Sequence, residues 1–278
     1  MKRSLLILFI AVLSLFAYAH EFWLSPQKFF YRVRETAHIR FQVGEDFKGE
    51  NWSGNRTKIH QLIHFTSADE TLDLSHLLSD NKGDSIAVPL PEAGTHMIVF
   101  NSTNSFIHLD PAKFNAYLLE DGLSETAAYR KKNNEDEKVG KEYYQRSVKT
   151  IVQAGDKVTD QCTKPTGIPL DIVPETNPYA QPESLNNTGF HKVRFRVLFR
   201  GRPLANVLTK VWYYPFGKPV KMESLKTNNN GYIITERHPG KFMVSCVHME
   251  RNKTDTIADW QSYWSSLTFE YSRFFPRN

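Results

Sequence analysis

Lys192-Val193-Arg194-Phe195-Arg196-Val197-Leu198-Phe199 alternates basic with apolar side chains, and its period of two decides the fold class. In a pleated strand Val193, Phe195 and Val197 share one face, while the three cations face the other way. The same text continues downstream. Gly201-Arg202-Pro203 marks a turn, Leu208–Tyr214 is a second strand, and Asn229-Asn230-Gly231 is a hairpin signal because these residues tolerate positive φ. Ile233–Glu236, Lys241–Met249 and Ser265–Tyr271 complete a small sandwich over 186–278, of immunoglobulin-like or transthyretin-like size.

Upstream lies a proline-rich stretch, 163–185, with Pro165, Pro169, Pro174, Pro178 and Pro182. Prolines cannot donate to a ladder, so this stretch reads as an extended connector. Before it, 20–162 carries strand-like runs at Phe22–Val43, Ile59–Thr66, Ser85–Pro89 and Thr95–Asn101. Asp110-Pro111 starts a helical insertion that extends to about 153, with Phe114, Tyr117 and Leu118 on one helical face and Gly122 as a C-cap. The expectation is a mainly β protein: two β-sandwich-like domains, the first with the helical insertion.

The N terminus adds a compartment. Lys2 and Arg3 precede an apolar run from Ser4 to Phe16, and Ala17-Tyr18-Ala19 supplies small residues for cleavage. Residues 1–19 therefore read as a signal peptide, and the mature chain as exported. The full chain carries 35 Lys plus Arg against 30 Asp plus Glu. That balance is too even for a nucleic-acid scaffold, which concentrates basic charge in a stripe. No second long apolar run follows, so no transmembrane segment is expected after cleavage. Cys162 and Cys246 have no zinc-type spacing and are not expected to be metal ligands.

Cleavage after Ala19 makes His20 the first mature residue, and its α-amine and imidazole Nδ1 can chelate one ion together. Both nitrogens lose their protons at modest cost when a metal competes. Such a pair suits nickel, cobalt, copper or zinc. A body ligand is then needed, and His248 is the first candidate: in Phe242–His248 the pleat sets it on the face of Val244 and Cys246. The alternative for His248 is a satisfied core histidine. His108, near a strand end, and His96, on the face of Ile98 and Phe100, are further candidates. His60 and His64 stand four apart, but Gln61 occupies the position where a metalloprotease helix needs Glu. No serine elbow, phosphate loop or paired-carboxylate motif is present, so no catalytic residues are assigned.

His20-Glu21-Phe22-Trp23-Leu24-Ser25-Pro26 resembles the HxFWLxP start of an exported bacterial family defined by an uncharacterised domain. Val43-Gly44-Glu45-Asp46-Phe47, Lys113-Phe114-Asn115-Ala116-Tyr117-Leu118, Pro169-Leu170-Asp171-Ile172-Val173-Pro174, Val247-His248-Met249 and Asp259-Trp260-Gln261-Ser262-Tyr263-Trp264 continue the match in order. Members are often labelled periplasmic components of cobalt or nickel transport. The resemblance implies a metal-associated periplasmic β protein, with His20 and His248 at motif positions. It departs at His108, where the family usually has Glu, and at Ser147, where Cys or an aromatic is frequent.

The leading expectation is a periplasmic transition-metal-binding protein serving nickel, cobalt or copper uptake, with an inner- or outer-membrane metal transporter as partner. A copper oxidative enzyme with an N-terminal histidine chelate is one alternative. An envelope module that binds a glycan or another protein is the other.

Overall fold

Period-two alternation becomes strand at nearly every place the sequence predicts. In a computed structural model, residues 21–180 and 192–272 are described. Residues 1–19, which the sequence reads as a signal peptide, His20 and the start of the 186–278 unit lie outside them. The first half contains β1 (Glu21–Pro26), β2 (Phe30–Tyr31), β3 (Thr36–Glu45), β4 (Lys48–Asn51), β5 (Ile59–Phe65) and β6 (Thr71–Asp73). It continues with β7 (Ser85–Pro89), β8 (Gly94–Ser102), β9 (Ser105–Leu109), helices α1 (Pro111–Glu120) and α2 (Ser124–Lys132), and β10 (Gly140–Ala154). Then come β11 (Leu170–Pro174), β12 (Lys192–Phe199), β13 (Arg202–Pro203) and β14 (Leu208–Tyr214). The chain closes with β15 (Lys221–Lys226), β16 (Tyr232–Glu236), β17 (Gly240–Arg251) and β18 (Trp260–Tyr271).

The protein is mainly β, as expected, but its layers are shared between the halves. One sheet runs in the order β15-β14-β17-β18-β10-β8-β5-β6, with β2 and β9 also on β10. Its middle joint is the parallel pairing of β10 with β18, from Glu142 opposite Trp260 to Thr150 opposite Thr268. Two smaller sheets cover this central one on opposite faces. Sheet β1-β3-β4, with β7 on β3, sets Phe22, Leu24, Ile39 and Phe41 against Ile98, Phe100, Val148 and Val152. Sheet β11-β12-β13, with β16 on β12, sets Ile172, Phe195, Val197 and Ile233 against Val99, Ile151, Val244 and Leu267. Alternate residues of β8 and β10 thus feed two different cores, and the segments read as 20–162 and 186–278 meet in a common sheet.

Three local expectations are corrected. The proline-rich stretch is not wholly a connector: Leu170–Pro174 is a fully buried strand paired with β12. β11 lies at its sheet's edge, with Pro174 as its last residue, where a missing N–H costs least. The helical insertion ends at Lys132, since Gly140–Ala154 is one fifteen-residue strand. Asn229-Asn230-Gly231 does turn, with Gly231 at φ 77, but the strands it joins separate: β15 pairs with β14 and β16 with β12.

The N-terminal strand is pinned twice. Its backbone pairs with β3 from Glu21 opposite Gly44 to Pro26 opposite Ile39. The Ser266 and Thr268 hydroxyls of β18 donate to the Phe22 and Leu24 carbonyls, each at 2.7 Å. Among the described residues no helix is long and apolar enough to cross a membrane.

Candidate functional site

At the start of β1 the alternation puts Phe22 and Leu24 into the core beneath the sheet and turns Glu21 and Trp23 toward β14 and β17. There Trp23 packs with Trp212 and Met243. Glu21 is 5 % exposed and borders three polar groups: Asp121 at the end of α1, Lys210 of β14 and Ser245 of β17. Lys210 Nζ donates to Asp121 Oδ1 at 2.6 Å, and Trp212 Nε1 donates to Ser245 Oγ at 3.0 Å. Burial pushes the Glu21 carboxyl up to about 7, with Asp121 adding to the rise and Lys210 and Ser245 opposing it. Burial likewise raises Asp121 to about 6 against the pull of Lys210. Burial works against the Lys210 ammonium, yet Asp121 and Glu21 outweigh it and hold its pKa above the ordinary value.

A third buried acid extends this polar layer under α1. Tyr117 OH donates to Glu142 Oε1 at 3.2 Å, and Ser262 Oγ also hydrogen-bonds that oxygen. Trp264 Nε1 donates to Ser262 Oγ at 3.0 Å, while its ring stacks on Tyr117 at 5.7 Å. Burial pushes Glu142 up to about 7 despite these donors. Glu21 and Asp121 therefore flank Lys210, while Glu142 is coupled to Asp121 and not to the lysine.

The predicted histidine ligands do not converge. His96 is fully buried, and both its ring nitrogens are engaged. Its Nε2 is 3.1 Å from the Glu92 carbonyl, which can only accept, so Nε2 carries the proton. Its Nδ1 then accepts from His64 Nε2 at 3.0 Å. His96 is thus spent on an internal hydrogen bond, and burial lowers its pKa. His64 is pushed down to about 3 by burial and by His96. His108 is exposed on β9, opposite Lys141, a cation unsuited to a metal site. His248 is half-buried with its ring 4.3 Å from Phe199, and burial lowers its pKa.

Register measures the separations. His248 is level with Tyr263 and, through it, with Gln145, whereas His108 is level with Lys141 and His96 with Val152. His108 and His248 are thus about 14 Å apart across three strand spacings and about 13 Å apart along them. His96 is about 23 Å along from His248. Glu21 also stands apart from His248, because Ser245 and His248 point to opposite faces of β17. Among the described residues no group of three or more His, Cys, Asp or Glu could hold a metal ion. His20 lies outside them.

Cys162 and Cys246 are buried free thiols. Burial pushes Cys162 up to about 12 and Cys246 higher still. Such thiols are poor ligands because thiolate is scarce.

Sequence reasoning missed Asp121, Lys210 and Glu142. A lysine alternating with Thr209 and Val211 in β14 was the one local signal, since it sets Lys210 beside Trp212 on a face that proves buried.

Comparison with known proteins gives a family and little else. No curated protein matches the chain. Among solved structures, the D0-D1 domain of intimin is 10% identical, covering 90% of this chain and 97% of its own, at a TM-score of 0.20. A tetra-tandem repeat from the extending region of a large adhesion protein is 8% identical, covering 90% and 49%, at 0.22. A Salmonella alpha-2-macroglobulin variant is 10% identical, covering 90% and 15%, at 0.21. Scores this low carry no argument about shape or role. The family match is of another order: over residues 17–250 the chain fits the family described as Domain of unknown function (DUF4198), and it belongs to that family.

Proposed function

We propose that the chain is an exported metal-handling protein that takes nickel, cobalt or copper at a processed N terminus, in the service of a membrane transporter. One observation supports this reading above the others. Glu21, the residue that follows His20, starts a doubly pinned strand and is itself a buried acid beside Asp121. Cleavage after Ala19 would leave an α-amine and an imidazole one residue from two carboxyls that share a single lysine. Those nitrogens and Glu21 would form the donor set, with no contribution from His96, His108 or His248, whose positions are remote from one another. Amine, imidazole and carboxylate together suit a borderline divalent ion.

Calorimetric titration with nickel and copper tests this. The chain beginning at His20 is compared with one carrying an extra methionine, whose peptide bond turns the His20 amine into an amide. The processed form should bind at least about tenfold more tightly, because an amide nitrogen is a poor ligand at neutral pH. His248→Ala should leave its affinity unchanged. Equal affinity in the two forms would refute the N-terminal site.

A further inference from the structure

A cleft of about 570 Å³ opens over β1, between the β3–β4 turn and the loop after β14. Trp23 forms its floor, Phe47 and Tyr214 its walls, and Lys48, Lys218 and Lys241 its charge, against a single carboxylate from Asp46. The Phe47 ring is 6.5 Å from Trp23 and 6.3 Å from Tyr214. A neighbouring cleft of about 900 Å³ shares Ser25 and Lys241 with it and is lined also by Arg40 and His38. Lys48 and Lys218 have no salt-bridge partner among the described residues. Lys241 faces Glu270 across the β17–β18 ladder.

The turn that presents Phe47 is unusual. Asp46 and Phe47 are the only residues between β3 and β4, with φ of 52 and 57. A two-residue hairpin of this kind demands left-handed backbone at both positions and normally takes Asn-Gly. A bulky phenylalanine there is an outlier, and strain of this sort gathers at ligand clamps. A glycine would meet the backbone requirement without strain, so the ring is held for its position. That position is on the wall of the basic cleft, half-buried.

The geometry points to a binding groove for an acidic oligosaccharide, whose pyranose faces lie on Phe47 and Tyr214 and whose carboxylates meet Lys48, Lys218, Lys241 and Arg40. Aromatic rings pack against the apolar faces of sugars as they do against other flat apolar groups. Lysines on an open rim steer and select an anion. The two neighbouring clefts together give length for several sugar units, which a single small anion would not use. This groove is separate from the N-terminal metal reading and does not depend on it.

The test uses the whole processed chain in the presence of a chelator, with a galacturonate hexamer as probe. A maltose-type hexamer is the neutral control, and a short single-stranded oligonucleotide is the competing polyanion. Binding is read by tryptophan fluorescence and calorimetry. The galacturonate should bind and the neutral glucan should not. Lys48→Glu with Lys218→Glu should weaken it about tenfold. Phe47→Gly should weaken it about fivefold by removing the ring, while melting no lower than the parent. A chain with its N terminus blocked should bind galacturonate unchanged, which separates this site from the metal site. No binding at millimolar galacturonate, affinity indifferent to both variants, or equal affinity for the oligonucleotide would overturn the assignment.

Discussion

Glu142 sits where its own ionisation works against the fold. Its carboxyl is raised from 4.5 to about 7. Below pH 4.5 it is protonated in folded and unfolded chains alike, and it costs nothing. Between 4.5 and 7 the unfolded chain releases this proton while the folded one keeps it, so stability falls as pH rises. Glu142→Gln keeps the acceptor for Tyr117 and Ser262 but has no proton to lose. Thermal melts of variant and parent should coincide near pH 4.5 and then diverge in the variant's favour. The gain should reach on the order of 3 kcal/mol above pH 7. A constant gap across that window would show that Glu142 is not the titrating group. The buried histidines act in the opposite direction. His64, depressed to about 3, contributes stability that is present above pH 6.5 and lost as pH falls toward 3. His64→Phe should therefore be most costly at neutral pH, where it leaves His96 Nδ1 without its donor, by about 1–3 kcal/mol. Melting the variant at pH 7 and pH 4 checks this, with the deficit shrinking at the lower value. None of these partnerships was legible in the sequence: Tyr117 and Glu142 are 25 residues apart, and Lys210 and Asp121 are 89 apart.

Strands were far more legible than the sheets they join. Ser85–Pro89, Lys192–Phe199 and Leu208–Tyr214 have the same limits in the text and in the structure, because alternation is a local property of the backbone. Which strand pairs with which depends on distant partners, and the Asn229-Asn230-Gly231 turn illustrates it. β11 was hidden for a related reason, since prolines at its flanks looked like a connector. Besides its pairing with β12, β11 is tied to β10 by a buried ion pair, Lys149 Nζ with Asp171 Oδ1, at 0% and 3% side-chain exposure. Asp171 Oδ2 also accepts from Thr166 N at 2.7 Å and Thr166 Oγ1 at 2.9 Å. Lys149→Met should cost about 3–5 kcal/mol, because it leaves a buried carboxylate with hydroxyl and amide donors only. Adding Asp171→Leu should recover a large part of that loss, since an apolar pair needs no desolvation. Urea denaturation of the three chains checks the order. A double variant no more stable than Lys149→Met alone would show that the pair is worth more than its desolvation costs.

At the scale of the molecule, the parallel β10–β18 joint decides how the protein unfolds. The sequence suggests two sandwiches, 20–162 and 186–278, and two such units would melt separately. In the structure β10 is fully buried from Ser147 to Ala154, and β18 is buried from Trp260 to Phe269. Each supplies the other's missing edge, and the carbonyls of β1 are capped by hydroxyls of β18. Residues from both halves also fill one core: Val99 and Ile151 pack with Val244 and Leu267. Separating the halves would expose a long apolar edge on each, which promotes aggregation. Calorimetry of a chain of residues 20–278 should therefore show one transition whose calorimetric and van't Hoff enthalpies agree. A chain ending at residue 180 should remain unfolded or aggregate, because its β10 has lost β18. A charge placed in the joint, Ser266→Asp, should lower the single transition as a whole. It would set a carboxylate against the Phe22 carbonyl that the serine hydroxyl now serves at 2.7 Å. If the variant instead lowered one of two resolved transitions, the halves would be independent domains in contact, and the shared sheet would not be their cooperative bond.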